Sequence, residues 1–313
     1  MKQNDIRGIA LGTIIVLVLF AVGSVSPFLG SLCTFCIPLP VIFYRVKLGR
    51  TAGLIISTIS FVIILAMVRG FKFELMFTVQ LILIGFMLGE GFSQRRSVNQ
   101  TFLGALIAAI AIMGLWVFVA STNAEQSPNE MLSGMLDANI AMTMNFYRTQ
   151  GLSAQDIATL EEMFTMAKPW VIKFLPSAAV LIYMFTIWAN ILLARTILSR
   201  AKLPWPYASF ESWSVPANLV FVALAAAVVW LVAPKGGGLW LIGLSALLIL
   251  MPAYCFQGLA ILINGMGRMA LPKPLQIVVY VVIMIFWPLI IIVSLLPFFD
   301  MWFNFRNQPG KTA

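Results

Sequence analysis

The chain alternates between long apolar runs and short polar clusters. Nine apolar runs stand out, at about 9–26, 28–44, 52–68, 73–92, 101–120, 174–194, 215–233, 239–264 and 274–299. A bilayer core of about 30 Å needs roughly 20 apolar residues in a helix, and the second and third runs lie near the lower limit. Backbone amides have no water partner in lipid, so helices or closed barrels must carry the spans. A barrel strand alternates apolar and polar residues, and these runs do not. The pattern predicts an all-α polytopic bundle of about nine spans, or eight. The first run lacks a small-x-small cleavage site and leads straight into further spans, so it reads as a retained first span.

The polar clusters predict orientation. With the N-terminus inside, the inner segments collect Lys2, Arg7, Arg45, Lys47, Arg50, Arg95, Arg96, Arg195, Arg200, Lys202, Arg268 and Lys273. The outer segments keep Arg69, Lys72, Arg148, Lys168, Lys173, Lys235, Arg306 and Lys311, three of them in one long loop where charge weighs little. An inside N-terminus and an outside C-terminus are therefore expected.

That long loop, 121–173, carries six acidic residues against three basic ones. It reads as an external hairpin of two amphipathic helices. "SPNE" is a capping box with Ser127 as cap and Glu130 reaching back. Met131, Leu132, Met135, Leu136, Ile140 and Met144 follow at helical spacing, and Gly151 is a natural stop. "SAQD" caps the second helix, with Ile157, Leu160 and Phe164 on one stripe and Lys168-Pro169 ending it. Such a hairpin packs on the bundle through its stripe, or acts as a lid. A second connecting segment, 200–216, carries Trp205, Tyr207, Phe210 and Trp213, which read as an aromatic belt at the headgroups.

Composition then narrows the chemistry. The chain is 61% hydrophobic and 10% charged, with a net charge of +9. Its bases sit at the ends of apolar runs, which fits a lipid bilayer and argues against a nucleic-acid partner. There is no histidine, no Walker loop, no nucleophile elbow and no metal-ligand spacing of acids. The expectation is a non-enzyme with no metal or cofactor and no ATPase of its own. Glu74, Glu90, Glu211 and Asp300 all sit at span ends.

Few polar residues lie at depth. Gln80, Asn190, Gln257 and Asn264 do, and such groups face a bundle interior. They either bond between helices or line an apolar ligand pocket. Gln257, with Tyr254 one turn away in "AYCFQGLAILING", is the leading ligand candidate. Glu90 in "GFMLGEGF" follows, its alternative being an ion pair with Arg95 or Arg96. Gly8/Gly12, Gly85/Gly89 and Ala223/Ala227 allow close helix contact, and the first pair could face a partner.

The stretch "GSLCTFCIPLPVIFYRVKLGR" holds Cys33 and Cys36. A relay oxidoreductase needs a second cysteine pair, and only Cys255 remains. The structural reading, two small apolar residues on a helix, is favoured. Pro38 and Pro40 remove two backbone donors inside the span. Broken helices of that kind line binding sites in transporters, so both prolines are candidate pocket-wall residues.

"IPLPVIFYRVKLGRTAGL", the loop between the fifth and sixth spans, "YCFQGLAIL" and "FFDMWFNFR" together resemble the YybS-like family of uncharacterised bacterial membrane proteins. The resemblance implies a bacterial inner-membrane location and a distant relation to S-components of energy-coupling-factor transporters. Their six-helix fold binds a small-molecule ligand near the outer face and works with a coupling membrane protein and two ATPases. S-components often dock through Ala-x-x-x-Ala in their first helix. Here Ala10 is followed by Ile14, and only Gly8/Gly12 approximates that motif. The resemblance implies a six-span core over 1–200, with three spans added over 201–313, and no ligand residue carries over. The function expected is a small-molecule binding or transport component. The alternatives are a membrane scaffold or, less favoured, a thiol oxidoreductase.

Overall fold

A computed structural model describes residues 3–25, 27–68, 73–207 and 213–303. Among these, every regular element is a helix. They run α1 (Gln3–Val25), α2 (Pro27–Phe35), α3 (Pro38–Leu48), α4 (Arg50–Val68), α5 (Phe73–Ser93) and α6 (Val98–Asn123). Then come α7 (Pro128–Thr149), α8 (Ala154–Arg200), α9 (Leu219–Val232), α10 (Gly238–Arg268), α11 (Lys273–Ile285) and α12 (Trp287–Phe303). Phe210 and Glu211 lie outside the described residues, as do the orienting Lys2, Arg69, Lys72, Arg306 and Lys311.

All nine apolar runs form helices. Among the described residues, seven stretches are long and apolar enough to cross a membrane, or up to eight if the bent pair α11–α12 is one span. Helix α9 has 14 residues, about 21 Å at 1.5 Å per residue, which falls short of a bilayer core. The last run is interrupted at Phe286, whose ψ of 85° leaves the helical region.

The chain divides into two compact units, 1–207 and 208–313. In the first, α3 is the central element, packed on α1, α4, α5 and α8. Ile9, Val16, Val41, Ile56, Leu81 and Ile82 fill that interior. Many large apolar side chains face outward instead, among them Leu11 and Ile14 on α1 and Leu103 and Ile107 on α6. This is the reverse of a soluble surface and suits lipid. In the second unit, α10 packs on α9 and α12. Gly258 makes that contact close: a Cβ there would collide with the Val293 carbonyl oxygen.

The capping boxes form as the sequence implies. Ser127 accepts from Glu130 N–H, and Ser127 N–H donates to Glu130 Oε2 at 2.8 Å. Donation from the Ser127 hydroxyl at 2.7 Å, and from its N–H, holds the Glu130 carboxyl below its ordinary pKa. Ser153 caps the next helix, and Gly151 takes a φ of +80° at the turn. One expectation fails here. Lys168-Pro169 does not end a helix, because α8 runs unbroken for 47 residues through Pro169 and Pro176. A helix interior loses one hydrogen bond per proline, about 3 kcal/mol, and the rest of the ladder continues on both sides. At about 70 Å, α8 is more than twice the length of a span. Its first turns pair with α7 through Arg148–Glu161 at 2.7 Å and Lys168–Asp137 at 2.6 Å.

Candidate functional site

The second apolar run breaks between Phe35 and Pro38, and the prolines explain how. In a continuous helix, residue 38 would donate to the Thr34 carbonyl and residue 40 to the Cys36 carbonyl. Proline can do neither. Both carbonyls are taken one residue early, by Ile37 N–H at 3.1 Å and Leu39 N–H at 3.0 Å. That shift leaves the Phe35 carbonyl without its usual donor. Asn190 of α8 supplies one, donating from Nδ2 to Phe35 O at 2.9 Å and to Thr186 O at 2.8 Å. Asn190 is fully buried, and its Oδ1 has no protein partner. Its placement is thus a cap on a broken helix.

Gln80 of α5 anchors a second network. Its Nε2 donates to the Ala109 carbonyl of α6 at 3.2 Å, and its Oε1 accepts from the Tyr183 hydroxyl of α8. Gln80 is 0% exposed and Tyr183 2%. Three helices are tied through one amide with both ends used. A cleft of about 410 Å³ lies toward the start of α5 and the end of α6. Phe61, Met76, Val79 and Ile112 line it, and Trp116 and Asn123 continue toward the end of α6. The described walls are apolar apart from the Trp116 indole N–H and the Asn123 amide.

Glu90 sits ten residues further along α5, about 15 Å from Gln80, in a separate polar cluster. Its partner is Arg45 of α3, not Arg95 or Arg96. Arg45 donates from Nε at 2.9 Å and Nη2 at 2.7 Å to Glu90 Oε2, and from Nη1 to Ser93 at 3.2 Å. Arg50 approaches the other oxygen at 3.8 Å, and Gln94 donates to it. The Arg45 stem is clamped by glycine. A Cβ on Gly89 would meet its Cγ at 2.7 Å, and one on Gly53 its Cδ at 2.9 Å. Sequence reasoning missed Arg45 and Tyr183. The small residues at 53, 85 and 89 were the available signal, since they let α3 approach α4 and α5 closely.

In the second unit, Gln257 accepts from the Val215 N–H at 3.2 Å and so fastens the segment leading into α9. Tyr254 stacks on Phe298 with ring centroids 4.7 Å apart. It is buried against Val220 and Ala223, and its hydroxyl has no partner. Asn264 is half-buried with an unpartnered Oδ1.

Three comparisons bear on identity. A family model described as "Predicted membrane protein (DUF2232)" matches residues 14–301. The chain belongs to this family. No curated protein and no solved structure matches it.

For this member of the family, the remaining sequence candidates take structural places. Gly8 and Gly12 face inward within their own chain: a Cβ on Gly8 would meet Leu48 at 2.6 Å, and one on Gly12 would meet Tyr44 at 2.7 Å. Pro38 packs against Gly85, whose Cβ would lie 2.7 Å from the Pro38 carbonyl oxygen. Pro40 is buried, and neither proline lines the cleft described above. Cys33, Cys36 and Cys255 are free thiols. Trp205 and Tyr207 do not simply lie at a surface. Their rings pack on Phe92 at 5.2 and 5.4 Å, and Tyr207 donates to Thr101 at 2.8 Å. Burial pushes the Tyr207 phenol up to about 12, so it remains a donor. Among the described residues, no group of three or more His, Cys, Asp or Glu is placed to hold a metal ion.

Proposed function

We propose that this multi-pass membrane protein is a small-molecule binding component of a transport system, without an ATPase of its own. The observation that carries the reading is the cleft at the ends of α4, α5 and α6. It has the size of a ligand pocket, and it is mostly apolar in a chain whose deep polar side chains are mostly spent on holding helices. Absence from the sequence of a Walker loop leaves energy supply to partners: a coupling membrane protein and ATPases, as the resemblance to the YybS-like family and to S-components implies. Residues 1–200 form the S-component-like core and 201–313 an added region. The chain sits in a bacterial inner membrane with its N-terminus inside and its C-terminus outside. The cleft then opens near the outer face, where the α7–α8 hairpin also projects.

A second reading is favoured by one observation. Met142, Phe146, Met163 and Met166 on the hairpin are all more than half exposed, which suits a scaffold that docks another protein. Native mass spectrometry of complexes extracted in mild detergent separates the two. The transport reading expects a bound small-molecule mass together with a coupling protein or ATPase. A chain free of small molecules, crosslinked to a partner through the hairpin alone, overturns it in favour of the scaffold.

A further inference from the structure

The shape and lining of the cleft identify the kind of ligand. This inference rests on the reading of the cleft as the ligand site. On α6 the lining residues are Ile112, Leu115, Trp116, Val119, Ala120 and Asn123. They recur at i, i+3, i+4, i+7, i+8 and i+11, so they form a single stripe about 16 Å long on one helix face. The opposite wall comes from Leu75, Met76 and Val79 of α5, with Phe61 of α4 alongside. A cavity of about 410 Å³ drawn out along such a stripe is a slot, running along the helix axes.

Its polarity is graded. At the end away from Asn123 the lining is Val79 and Ile112, which offer no polar group to an occupant. Among the described lining side chains, only the Trp116 indole N–H and the amide of Asn123, the last residue of α6, carry polar atoms. A nucleobase, a sugar or a heteroaromatic vitamin would lose its water bonds in this slot and recover almost none, at a cost for each unpaired group. A hydrocarbon chain loses nothing there. C–C bonds of about 1.5 Å in a zigzag place roughly a dozen carbons along 16 Å.

We propose that the cleft binds the hydrocarbon chain of an amphiphile, acyl or isoprenoid, with the chain end against Val79 and Ile112 and the polar end at Asn123. A membrane lipid and a free amphiphile share this chemistry.

The test uses the full chain in lipid nanodiscs. The probe is palmitic acid carrying a diazirine at its terminal carbon. Photolysis is expected to label Val79 or Ile112 saturably. Unlabelled palmitic acid is expected to lower the yield by about tenfold or more, as competition for one site requires. Val119→Trp and Ala120→Phe, which fill the slot from α6, are each expected to lower it to a similar extent. Val119 is 42% exposed, so that variant does not depend on repacking a core. Unsaturable labelling spread over lipid-facing residues, unmoved by competitor, overturns the proposal. Native mass spectrometry of the same protein distinguishes the two levels of failure. A bound molecule without a hydrocarbon chain overturns the ligand class and leaves the binding reading standing. No bound molecule, together with unsaturable labelling, overturns both. A bound phospholipid mass or a bound free-acid or isoprenoid-alcohol mass each supports the proposal and names the source.

Discussion

Replacing Asn190 by leucine tests the account of the broken span. The side chain is nearly preserved in shape, and the donor to the Phe35 carbonyl is lost. The Thr186 carbonyl keeps its helical donor, so only one acceptor is orphaned. An unpaired buried acceptor costs about 1–3 kcal/mol, while interhelical bonds measured in membranes average nearer 0.6 kcal/mol, because the unfolded chain in lipid also finds partners. A loss of about 1 kcal/mol is expected, read as a shift of the detergent-unfolding midpoint. The sharper test is coupling. With Pro38 and Pro40 both changed to alanine, the chain regains donors at 38 and 40, and Leu39 N–H can return to the Phe35 carbonyl. Asn190→Leu in that background should cost close to nothing, a coupling of about 1 kcal/mol between residues far apart in sequence. An equal penalty in both backgrounds would refute the cap.

Further outcomes follow from other contacts. Arg45→Met strands a carboxylate whose side chain is 12% exposed and should destabilise by about 3 kcal/mol or more in the same unfolding assay, whereas Arg50→Ala, removing a 69% exposed partner at 3.8 Å, should cost under about 1 kcal/mol. Gly258→Leu should loosen α10 from α12, since even a Cβ meets the Val293 backbone; faster proteolysis within 213–303 would report it, and unchanged cleavage would count against that packing. The bonds from the Ser127 hydroxyl and N–H hold the Glu130 carboxyl below its ordinary pKa, so their contribution is present at neutral pH and is lost as the pH falls through that lowered value. Amide protection at the start of α7, measured against the intrinsic exchange rate at each pH, should fall on acidification, and Ser127→Ala, which removes the hydroxyl donor and keeps the backbone one, should reduce that response. Finally, with the native cysteines changed to serine, Ser153→Cys should react with an impermeant maleimide in intact cells and Ser97→Cys should not; the reverse would invert the orientation.

The helical elements were legible in the sequence because lipid makes composition decisive: all nine apolar runs form helices. The caps at Ser127 and Ser153 and the stop at Gly151 were also legible, as they depend on neighbours within a turn. The failures share a cause. Lys168-Pro169 reads locally as a stop, yet a long helix absorbs a missing bond. Glu90 was matched with Arg95 and Arg96 because they are near in sequence, while its partner Arg45 arrives from another helix through a glycine gap. The polar character of Gln80 and Asn190 told that they face inward and made bonding between helices one of two readings, but not which carbonyl each would meet. The cleft was hidden for a plainer reason: its walls are leucine, valine, methionine and tryptophan, indistinguishable in sequence from residues that face lipid.

The most direct measurement of the central claim is native mass spectrometry of the protein drawn from its own membranes, set beside Val119→Trp purified identically. The account predicts one additional small-molecule mass on the unaltered chain and its loss from the variant at unchanged unfolding temperature. The same bound mass on both proteins, or none on either, would contradict it.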